Sequence, residues 1–253
     1  MALTSRSLFL YGFEVTTLNN AIDFKITGPG STLQATLSLG YYSLTSLMTE
    51  IKRAMEAADI TNTYTVTADR TYSGGLQNRV TISTSGAFLS LLFLSGPRTA
   101  SSVKYLIGFP NVDQVSALTY TGTSSAGTVL SPVYNAYNYL GPEFSRRVFG
   151  AVNVSASGLK ESVVWNIQQF VECEFKYEAQ ATVLTDWLPF WNLAIQQRPF
   201  EITPQVSVPA TFYPVTLEST GEDSKGLAFK MTEMLPQFPF YFMTGKMKLR
   251  RIT

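Results

Sequence analysis

The stretch Val163-Val-Trp-Asn-Ile-Gln-Gln-Phe-Val-Glu-Cys-Glu-Phe-Lys-Tyr177 decides how the second half of the chain folds. Its odd-numbered positions are apolar except for Gln169, and most of its even-numbered positions are polar. A period of two is typical of a β-strand with one buried face and one solvated face. The sequence therefore predicts one long strand over 163–177, with Val163, Trp165, Ile167 and the later odd positions facing a core.

The hydrophobic period then changes from that of a strand to that of a helix. Thr185-Asp186 offers N-cap oxygens, and Arg198-Pro199 marks the end, because the residue before a proline avoids the helical region. We expect a helix near 185–197 and a strand at 200–203. The apolar stripe of this helix carries both tryptophans, which we expect to be buried against the long strand: Leu184, Trp187, Leu188, Trp191, Ala194 and Ile195.

Length and composition limit the class of protein. A chain of 253 residues holds one large β domain or two domains of about 100 to 150 residues, and we favour two. Only 15% of the residues are charged and the net charge is +1, so we expect no specific nucleic-acid readout. No apolar run is long enough to cross a bilayer or to act as a signal peptide, which predicts no membrane insertion and synthesis in a cytoplasm. A weakly charged surface favours a subunit that becomes covered in an assembly.

The residue types that carry most enzyme chemistry are scarce. The sequence has no histidine, which removes the usual general base at neutral pH, the commonest zinc ligand and every Ser-His or Cys-His pair. Cys173 is the single cysteine, and we expect it to be a buried thiol. Spacing alone leaves a carboxylate pair for glycoside hydrolysis open, although Glu172 and Glu174 fall on the solvated face of the strand. We expect no enzyme, and we assign no catalytic residue, cofactor or metal.

The first half of the chain has its own strand and helix patterns. Residues 22–37 and residues 64–83 each predict a β-hairpin, because two alternating segments flank glycine-containing turns. Ser43 is a good N-cap for the segment between them. That segment predicts a helix near 43–58 from one apolar stripe: Leu44, Leu47, Met48, Ile51 and Met55.

A small-residue stretch, Gly122-Thr-Ser-Ser-Ala-Gly127, separates the two halves. It has the glycine spacing of a phosphate-binding loop, but Thr128-Val129 follows where Lys-Ser/Thr is required. We interpret residues 122–132 as a linker or arm between domains over 1–121 and 133–253. The expected fold is mainly β, of the α+β class. Each domain is predicted to be an antiparallel sheet or sandwich that carries one short amphipathic helix.

Three tyrosines follow this stretch at Tyr134, Tyr137 and Tyr139. Tyrosine provides a large contact area at a low cost in side-chain entropy. Two interpretations remain open: the segment straps over its own domain, or it contacts a neighbouring subunit. We take the three tyrosines as the candidate subunit contacts.

Several short motifs resemble virion proteins of tailed bacteriophages from the tail tip or baseplate. In the second half, the motif Asn153-Val-Ser-Ala-Ser-Gly158 precedes the long strand. The other motifs follow it: Trp187-x-x-x-Trp191, Pro199-Phe-Glu201, Pro209-Ala-Thr-Phe-Tyr213 and Lys248-Leu-Arg-Arg251. In the first half, the motifs are similar to a small αβ module of phage structural proteins: Gly40-Tyr-Tyr-Ser-Leu-Thr-Ser-Leu47, Gly86-Ala-Phe88 and Leu106-Ile-Gly-Phe-Pro110.

The resemblance implies a structural role in the virion. A distal tail protein of this kind forms a ring, commonly a hexamer, that joins the tail tube to baseplate hub or tail-tip proteins, with its β-sheets continuing the tube wall. It carries no catalytic residue over to this chain. Two alternatives remain: a receptor- or carbohydrate-binding virion module, and a minor capsid or head-tail connector component. A binding module is expected to expose aromatic side chains, so the burial of Trp187 and Trp191 distinguishes the two classes.

Overall fold

The computed structural model describes residues 6–7, 9–10, 12–26, 30–69, 78–86, 88–127, 133–134, 139–176, 178–202, 212–218, 232–233, 241–243 and 245–252. Up to the middle of the chain the strands are β1 (Arg6–Ser7), β2 (Phe9–Leu10), β3 (Phe13–Val15), β4 (Ala21–Ile26), β5 (Leu33–Thr36), β6 (Gly40–Tyr42), β7 (Tyr64–Asp69), β8 (Arg79–Thr84), β9 (Leu89–Leu91), β10 (Gln114–Ala117) and β11 (Thr119–Thr121).

The later strands are β12 (Val133–Tyr134), β13 (Tyr139–Val154), β14 (Lys160–Phe175), β15 (Glu178–Ala179), β16 (Phe200–Ile202), β17 (Tyr213–Leu217), β18 (Thr232–Glu233), β19 (Tyr241–Met243) and β20 (Gly245–Arg251). The α-helices are α1 (Leu44–Ala58), α2 (Gln180–Thr182) and α3 (Leu188–Ala194). A π-helical turn, Val183–Trp187, joins the last two, and short 3-10 turns lie at Thr99–Ser101 and Val103–Tyr105. The predicted mainly β fold of the α+β class is confirmed.

An N-terminal unit is built around α1. Its antiparallel sheets have the strand orders β10-β9-β4-β5, β11-β8-β7 and β3-β6. The side chain of Ser43 caps the helix by accepting a hydrogen bond from the backbone N–H of Ser46 at 3.2 Å. The apolar stripe of α1 is buried in one core with the inner residues of these sheets. The predicted helix and both predicted hairpins are confirmed, because the helical and strand periods lie in separate, long segments.

A C-terminal unit is built on a sheet of six strands in the order β13-β14-β20-β17-β16-β2. The helical segment 180–194 covers one face, and Trp187 is fully buried there. Its ring packs edge-on against Phe175, with the ring centroids 4.8 Å apart. Trp191 is only partly buried against the same core. The predicted burial against the long strand is therefore confirmed for Trp187 and only partly met by Trp191.

The helix begins earlier than the sequence pattern predicts. Helical residues start at Gln180 rather than near 185, and they pass through the π-helical turn before α3. Pro189 has no N–H to donate to the carbonyl of Thr185, so a regular α-helix cannot run through this point. The wider π-helical turn accommodates the proline two residues into α3. The pattern after residue 184 detected the helix but not its first turn.

Residues 122–127 are held by the N-terminal unit. The backbone N–H of Gly122 donates to the carbonyl of Val80 at 2.8 Å, and that of Gly127 donates to Leu106 at 2.8 Å. Gly108 has a φ of +76°, and a Cβ there would collide with the carbonyl of Ser124. Small residues thus serve close packing in this part of the predicted linker, and residues 128–132 lie outside the described residues. The division into separately folding domains stays a prediction.

Candidate interaction surface

The longest feature of the described chain is the hairpin of β13 and β14. These strands pair antiparallel from Tyr139 opposite Phe175 to Val154 opposite Lys160. The next strand, β20, pairs only with Phe170–Phe175 of β14. Residues 146–154 and 160–169 therefore continue as a two-stranded ribbon beyond the pairing with β20, and residues 143–145 form its root beside the paired part of β14. We call residues 143–169 the ribbon.

One face of the ribbon continues the core face of the sheet. Val171, Cys173 and Phe175 on this face of β14 are buried under the helical segment. Directly opposite residues of an antiparallel pair share a face, and so do alternate residues along each strand. The same face of the ribbon carries these apolar residues: Phe144, Val148, Val152, Val154, Val164, Trp165 and Ile167. All of them are about half exposed or more, and Trp165 is 69% exposed.

The prediction that Val163, Trp165 and Ile167 face a core is therefore wrong. Their alternation is real, but the strand extends past the elements that cover its buried half. In addition, the register shifts at a β-bulge, where Phe149 lies opposite Asn166 and the next residue, Gly150, lies opposite Val164. Trp165 is the extra residue. The bulge moves Val163 to the other face, because one inserted residue reverses the alternation.

Gly150 explains where the bulge forms. A Cβ on this residue would collide with the carbonyl oxygen of Val163 on the opposite strand. Only a residue without a side chain permits that close approach of the two backbones. The ribbon is thus bent at a position that the sequence specifies.

The opposite face of the ribbon is mainly polar. The guanidinium of Arg147 lies 4.9 Å from the ring centroid of Phe149, which it partly shields from solvent. Toward the sheet, the hydroxyl of Ser145 donates to Glu172 at 3.3 Å, and Lys248 forms an ion pair with Glu172 at 3.7 Å. The two faces therefore differ in chemistry, and only one of them presents a row of aliphatic side chains.

The root of the ribbon is fixed to the sheet by aromatic and charged groups. The ring of Phe144 meets that of Tyr213 edge-on, with centroids 6.2 Å apart. The guanidinium of Arg251 lies 4.0 Å from the ring centroid of Tyr213 and donates a hydrogen bond to the side-chain carbonyl of Gln169. These contacts hold the direction in which the ribbon leaves the sheet.

The tip of the ribbon is a well-formed turn. The backbone N–H of Ser155 donates to the carbonyl of Leu159 at 2.9 Å, and the N–H of Leu159 donates to the hydroxyl of Ser155 at 3.1 Å. Gly158 takes the positive φ of +80° that this turn requires. The ribbon is therefore closed by local hydrogen bonds that stop pairing at Val154 and Lys160.

The predicted contact tyrosines lie elsewhere. Tyr134 pairs in register with Arg6, and Tyr139 pairs with Phe175 at the root of the hairpin. Tyr137 lies outside the described residues. No strand was predicted at β13, although Val148, Val152 and Val154 have the alternate spacing of a strand. The assignment of the three tyrosines as subunit contacts stays a prediction, and the ribbon is a second candidate surface.

The described residues contain no cluster of acidic, cysteine or histidine side chains that could hold a metal ion. Glu172 and Glu174, the acidic pair on the strand, form ion pairs with Lys248 and Lys176 at 3.7 and 3.8 Å. Burial raises the pKa of the Cys173 thiol, which keeps it protonated at neutral pH. None of the described helices is long and apolar enough to span a bilayer.

A shallow pocket on the N-terminal unit is lined by Leu18, Tyr105 and Lys104, among others. Lys104 is buried, and its ammonium donates to the carbonyl oxygens of Phe93 at 2.8 Å and Thr99 at 3.4 Å. The lysine therefore ties two turns together. We assign the pocket no ligand.

No protein-family model matches the chain, and no curated protein matches it either.

Proposed function

We propose that this chain is a structural subunit of a bacteriophage tail, where it forms a ring that joins the tail tube to baseplate or tail-tip proteins. The observation that supports a structural role best is the uncovered apolar face of the ribbon. It is continuous with the core face of β14 and projects beyond the part of that face that the helical segment 180–194 covers. A contiguous exposed apolar surface of this kind marks an interaction site. The position in the tail rests on the resemblance of the sequence motifs.

The ribbon is suited to a load-bearing contact rather than to a ligand site. It presents aliphatic side chains such as Val148, Val152 and Val164 on a long two-stranded projection. Small-molecule and sugar sites are concave and place a few polar groups around an apolar floor. A stable protein contact buries more than about 1,000 Å² in total, which a ribbon of this length is able to supply when it packs on a neighbour.

The tryptophans bear on the alternative of a receptor- or carbohydrate-binding module. Trp187 is fully buried and Trp191 is partly buried, so the helix does not present both as an exposed platform. Trp165 is exposed, and Val164 and Ile167, which flank its position on the same face of β14, are also exposed apolar residues. These observations favour the structural subunit.

The test is a cryo-electron microscopy reconstruction of the virion that contains this chain. We expect a closed ring, commonly with six copies, at the junction between tail tube and baseplate or tail tip. The ribbon should lie in the contact between adjacent copies. Finding the chain on the capsid surface, at the head-tail junction, or absent from the particle would contradict the proposal. A ring of purified protein in negative stain would support self-assembly alone.

A further inference from the structure

We infer that the ribbon joins copies head to tail by strand pairing, with the outer edge of β13 in one copy hydrogen-bonded to the outer edge of β14 in the next. This inference rests on the proposed ring and specifies the surface that closes it. The backbone of the ribbon supports this inference, because both of its strand edges lack a partner strand within the described residues.

The outer edges of β13 and β14 are both available for strand pairing within the described residues. β13 is the terminal strand of the six-stranded sheet, so its outer edge has no strand beside it among the described residues. β14 is paired with β20 only from Phe170 onward, so residues 160–169 have no strand on their other side within the described part of the chain. At about 3.3 Å per residue, that open edge is roughly 30 Å long. Unpaired edges of this length are templates for pairing with another chain.

The second step concerns stability. A two-stranded hairpin alone is only marginally stable in water, and three or more strands with an apolar face are needed. Here Val152, Val164 and Trp165 on the apolar face of the ribbon are each more than half exposed. Pairing with a neighbouring ribbon adds strands on both sides and joins the apolar faces into one continuous surface. The same contact therefore supplies the missing strands and covers part of the exposed apolar face.

The third step selects head-to-tail pairing over a two-fold pairing. A ring needs two different complementary edges on each copy, and a hairpin provides them with opposite strand directions, so β13 and β14 of adjacent copies meet antiparallel all round. Charge agrees with this choice. A two-fold pairing of β13 places Arg146 and Arg147 of both copies along one shared edge. The open part of β14 instead carries one lysine and one glutamate, Lys160 and Glu161.

The fourth step decides against a lipid surface as the occupant. Exposed Trp165 and its neighbouring valines have the composition of a membrane-inserting hairpin. However, hydrocarbon offers no hydrogen-bond partner for two open strand edges, so a single inserted ribbon leaves its outward N–H and C=O groups unsatisfied. A second copy satisfies them.

The experiment uses single-cysteine cross-linking between different chains. The native Cys173 is buried, and burial raises the pKa of its thiol, so its background reaction is small. One protein carries Val152→Cys on β13, and a second, distinguishable by a tag, carries a cysteine on β14 at Ser162, Val164 or Ile167 in turn. The proteins are mixed, allowed to assemble, and treated with a short bismaleimide.

We expect a mixed dimer from the β13 variant with at least one β14 variant, at ten-fold or greater yield over each variant incubated alone. Ile60→Cys is the matched control, since Ile60 is 95% exposed but lies off the ribbon, and it should give no cross-link with either. Self-cross-linking of Val152→Cys would overturn the inference in favour of two-fold pairing. Assembly without any mixed dimer would overturn it too, as would a protein that stays monomeric.

Two further outcomes separate this inference from the proposed function. If phosphatidylcholine vesicles bind the monomer and shift the fluorescence of Trp165, judged against Trp165→Phe, the occupant is lipid and the inference fails. If mixed dimers form but the virion places the chain outside the tail, the strand pairing stands and the proposed function fails. If the chain forms a ring in the tail but no mixed dimers form, the proposed function stands and the strand pairing fails.

Discussion

The carboxylate of Glu201 on β16 caps the N-terminus of α1, where it accepts hydrogen bonds from the backbone N–H of Thr45 at 2.7 Å and from its hydroxyl at 2.8 Å. Glu201 is 1% exposed and belongs to the C-terminal unit. A negative charge is favourable at a helix N-terminus, where backbone N–H groups lack intrahelical partners. Nearby, the guanidinium of Arg198 lies 3.9 Å from the ring centroid of Tyr41. The two units are thus joined by specific, partly buried contacts.

The first prediction concerns this cap. Glu201→Ala should lower the free energy of unfolding by about 1 to 2 kcal/mol, because it leaves the partly buried backbone N–H of Thr45 without its charged acceptor. Glu201→Gln keeps an acceptor oxygen but loses the charge, so its effect should be about half as large. Urea unfolding followed by circular dichroism measures both. In a double-mutant cycle with Thr45→Val, additivity within about 0.5 kcal/mol would contradict a direct interaction.

The second prediction concerns the ion pair of Asp23 and Arg98 in the N-terminal unit. Nε of Arg98 donates to Asp23 at 2.8 Å, and its other nitrogens reach Thr36 and the carbonyl oxygen of Ala35. Asp23 is buried, so Arg98→Ala should cost about 3 to 5 kcal/mol by leaving a buried carboxylate without its cation.

The matched control for Arg98 is Arg79, which lies 3.6 Å from Asp69 in a partly exposed pair. Arg79→Ala should cost about 1 kcal/mol or less, because solvent screens such pairs. Thermal unfolding of both variants makes the comparison. If the two variants lose the same amount of stability, burial of the Asp23–Arg98 pair does not strengthen it relative to the partly exposed pair.

The third prediction is a pH dependence at Asp59, which ends α1. Burial raises the pKa of this carboxyl, but hydrogen bonds from Thr61, Asn62 and Tyr64 outweigh burial and lower its pKa to about 2. The folded-state pKa is therefore below the unfolded one, so the stabilisation is present above about pH 4 and is lost as the pH falls toward 2. Asp59→Asn should cost about 1 to 2 kcal/mol at pH 7.

The measurement for Asp59 is the difference in unfolding free energy between wild type and Asp59→Asn as a function of pH. We expect the difference to shrink from pH 5 to pH 2. Thr61→Val removes the shortest donor, at 2.6 Å, and should give a smaller loss with the same direction. A difference that stays constant with pH would show that the charge of Asp59 is not what stabilises this end of the helix.

The sequence predicted the parts of the fold in which a periodic pattern coincides with burial. The α1 stripe and the 64–83 hairpin are such cases, because every apolar position in the period has a neighbour to cover it. The helical segment at 180–194 was predicted with a late start, since the π-helical turn before Pro189 does not follow the 3.6-residue period.

The candidate surface was not predictable in the same way. The alternation in 163–177 is the same whether its apolar face meets a core or solvent, so burial along the strand depends on how far the helical segment 180–194 reaches over it. The sequence of β14 alone does not indicate the bulge at Trp165, because the bulge depends on how β14 pairs with Gly150 on β13. Small residues at 122–127 indicated a flexible segment but in fact permit close packing on Gly108.

The fourth prediction compares two tryptophans that the sequence treats alike. Trp187→Ala should cost about 3 to 5 kcal/mol, since it leaves a cavity between Phe175 and Phe190. Trp165→Ala should change the stability of the monomer by less than about 0.5 kcal/mol, because its side chain is largely in solvent. It should, however, weaken assembly. Urea unfolding and sedimentation velocity measure the two effects separately, and a large loss of monomer stability at Trp165 would contradict the exposed placement.

The last prediction removes the projecting part of the ribbon. Val148 and Ile167 are direct cross-strand partners, so residues 149–166 can be replaced by a two-residue Asn-Gly turn that matches the twist of the strands. The shortened protein should keep its core, because the deleted residues lie outside both buried clusters. Its free energy of unfolding should change by about 1 kcal/mol or less. Light scattering after size exclusion should find it monomeric at concentrations where the full chain assembles.

Leu159→Ser is the control for this shortened protein, because it alters the exposed tip and leaves both strand edges and the apolar row intact. It should assemble as the full chain does. If the shortened protein also assembles, the contact lies outside the ribbon, and the segment that carries Tyr134 and Tyr139 becomes the better candidate. If instead it fails to fold, the ribbon stabilises the sheet from which it projects, and the exposed face has a role within one chain. A shortened protein that is monomeric and folded would assign the ribbon to assembly, since open strand edges are hydrated in the monomer and gain strand partners only when copies pair.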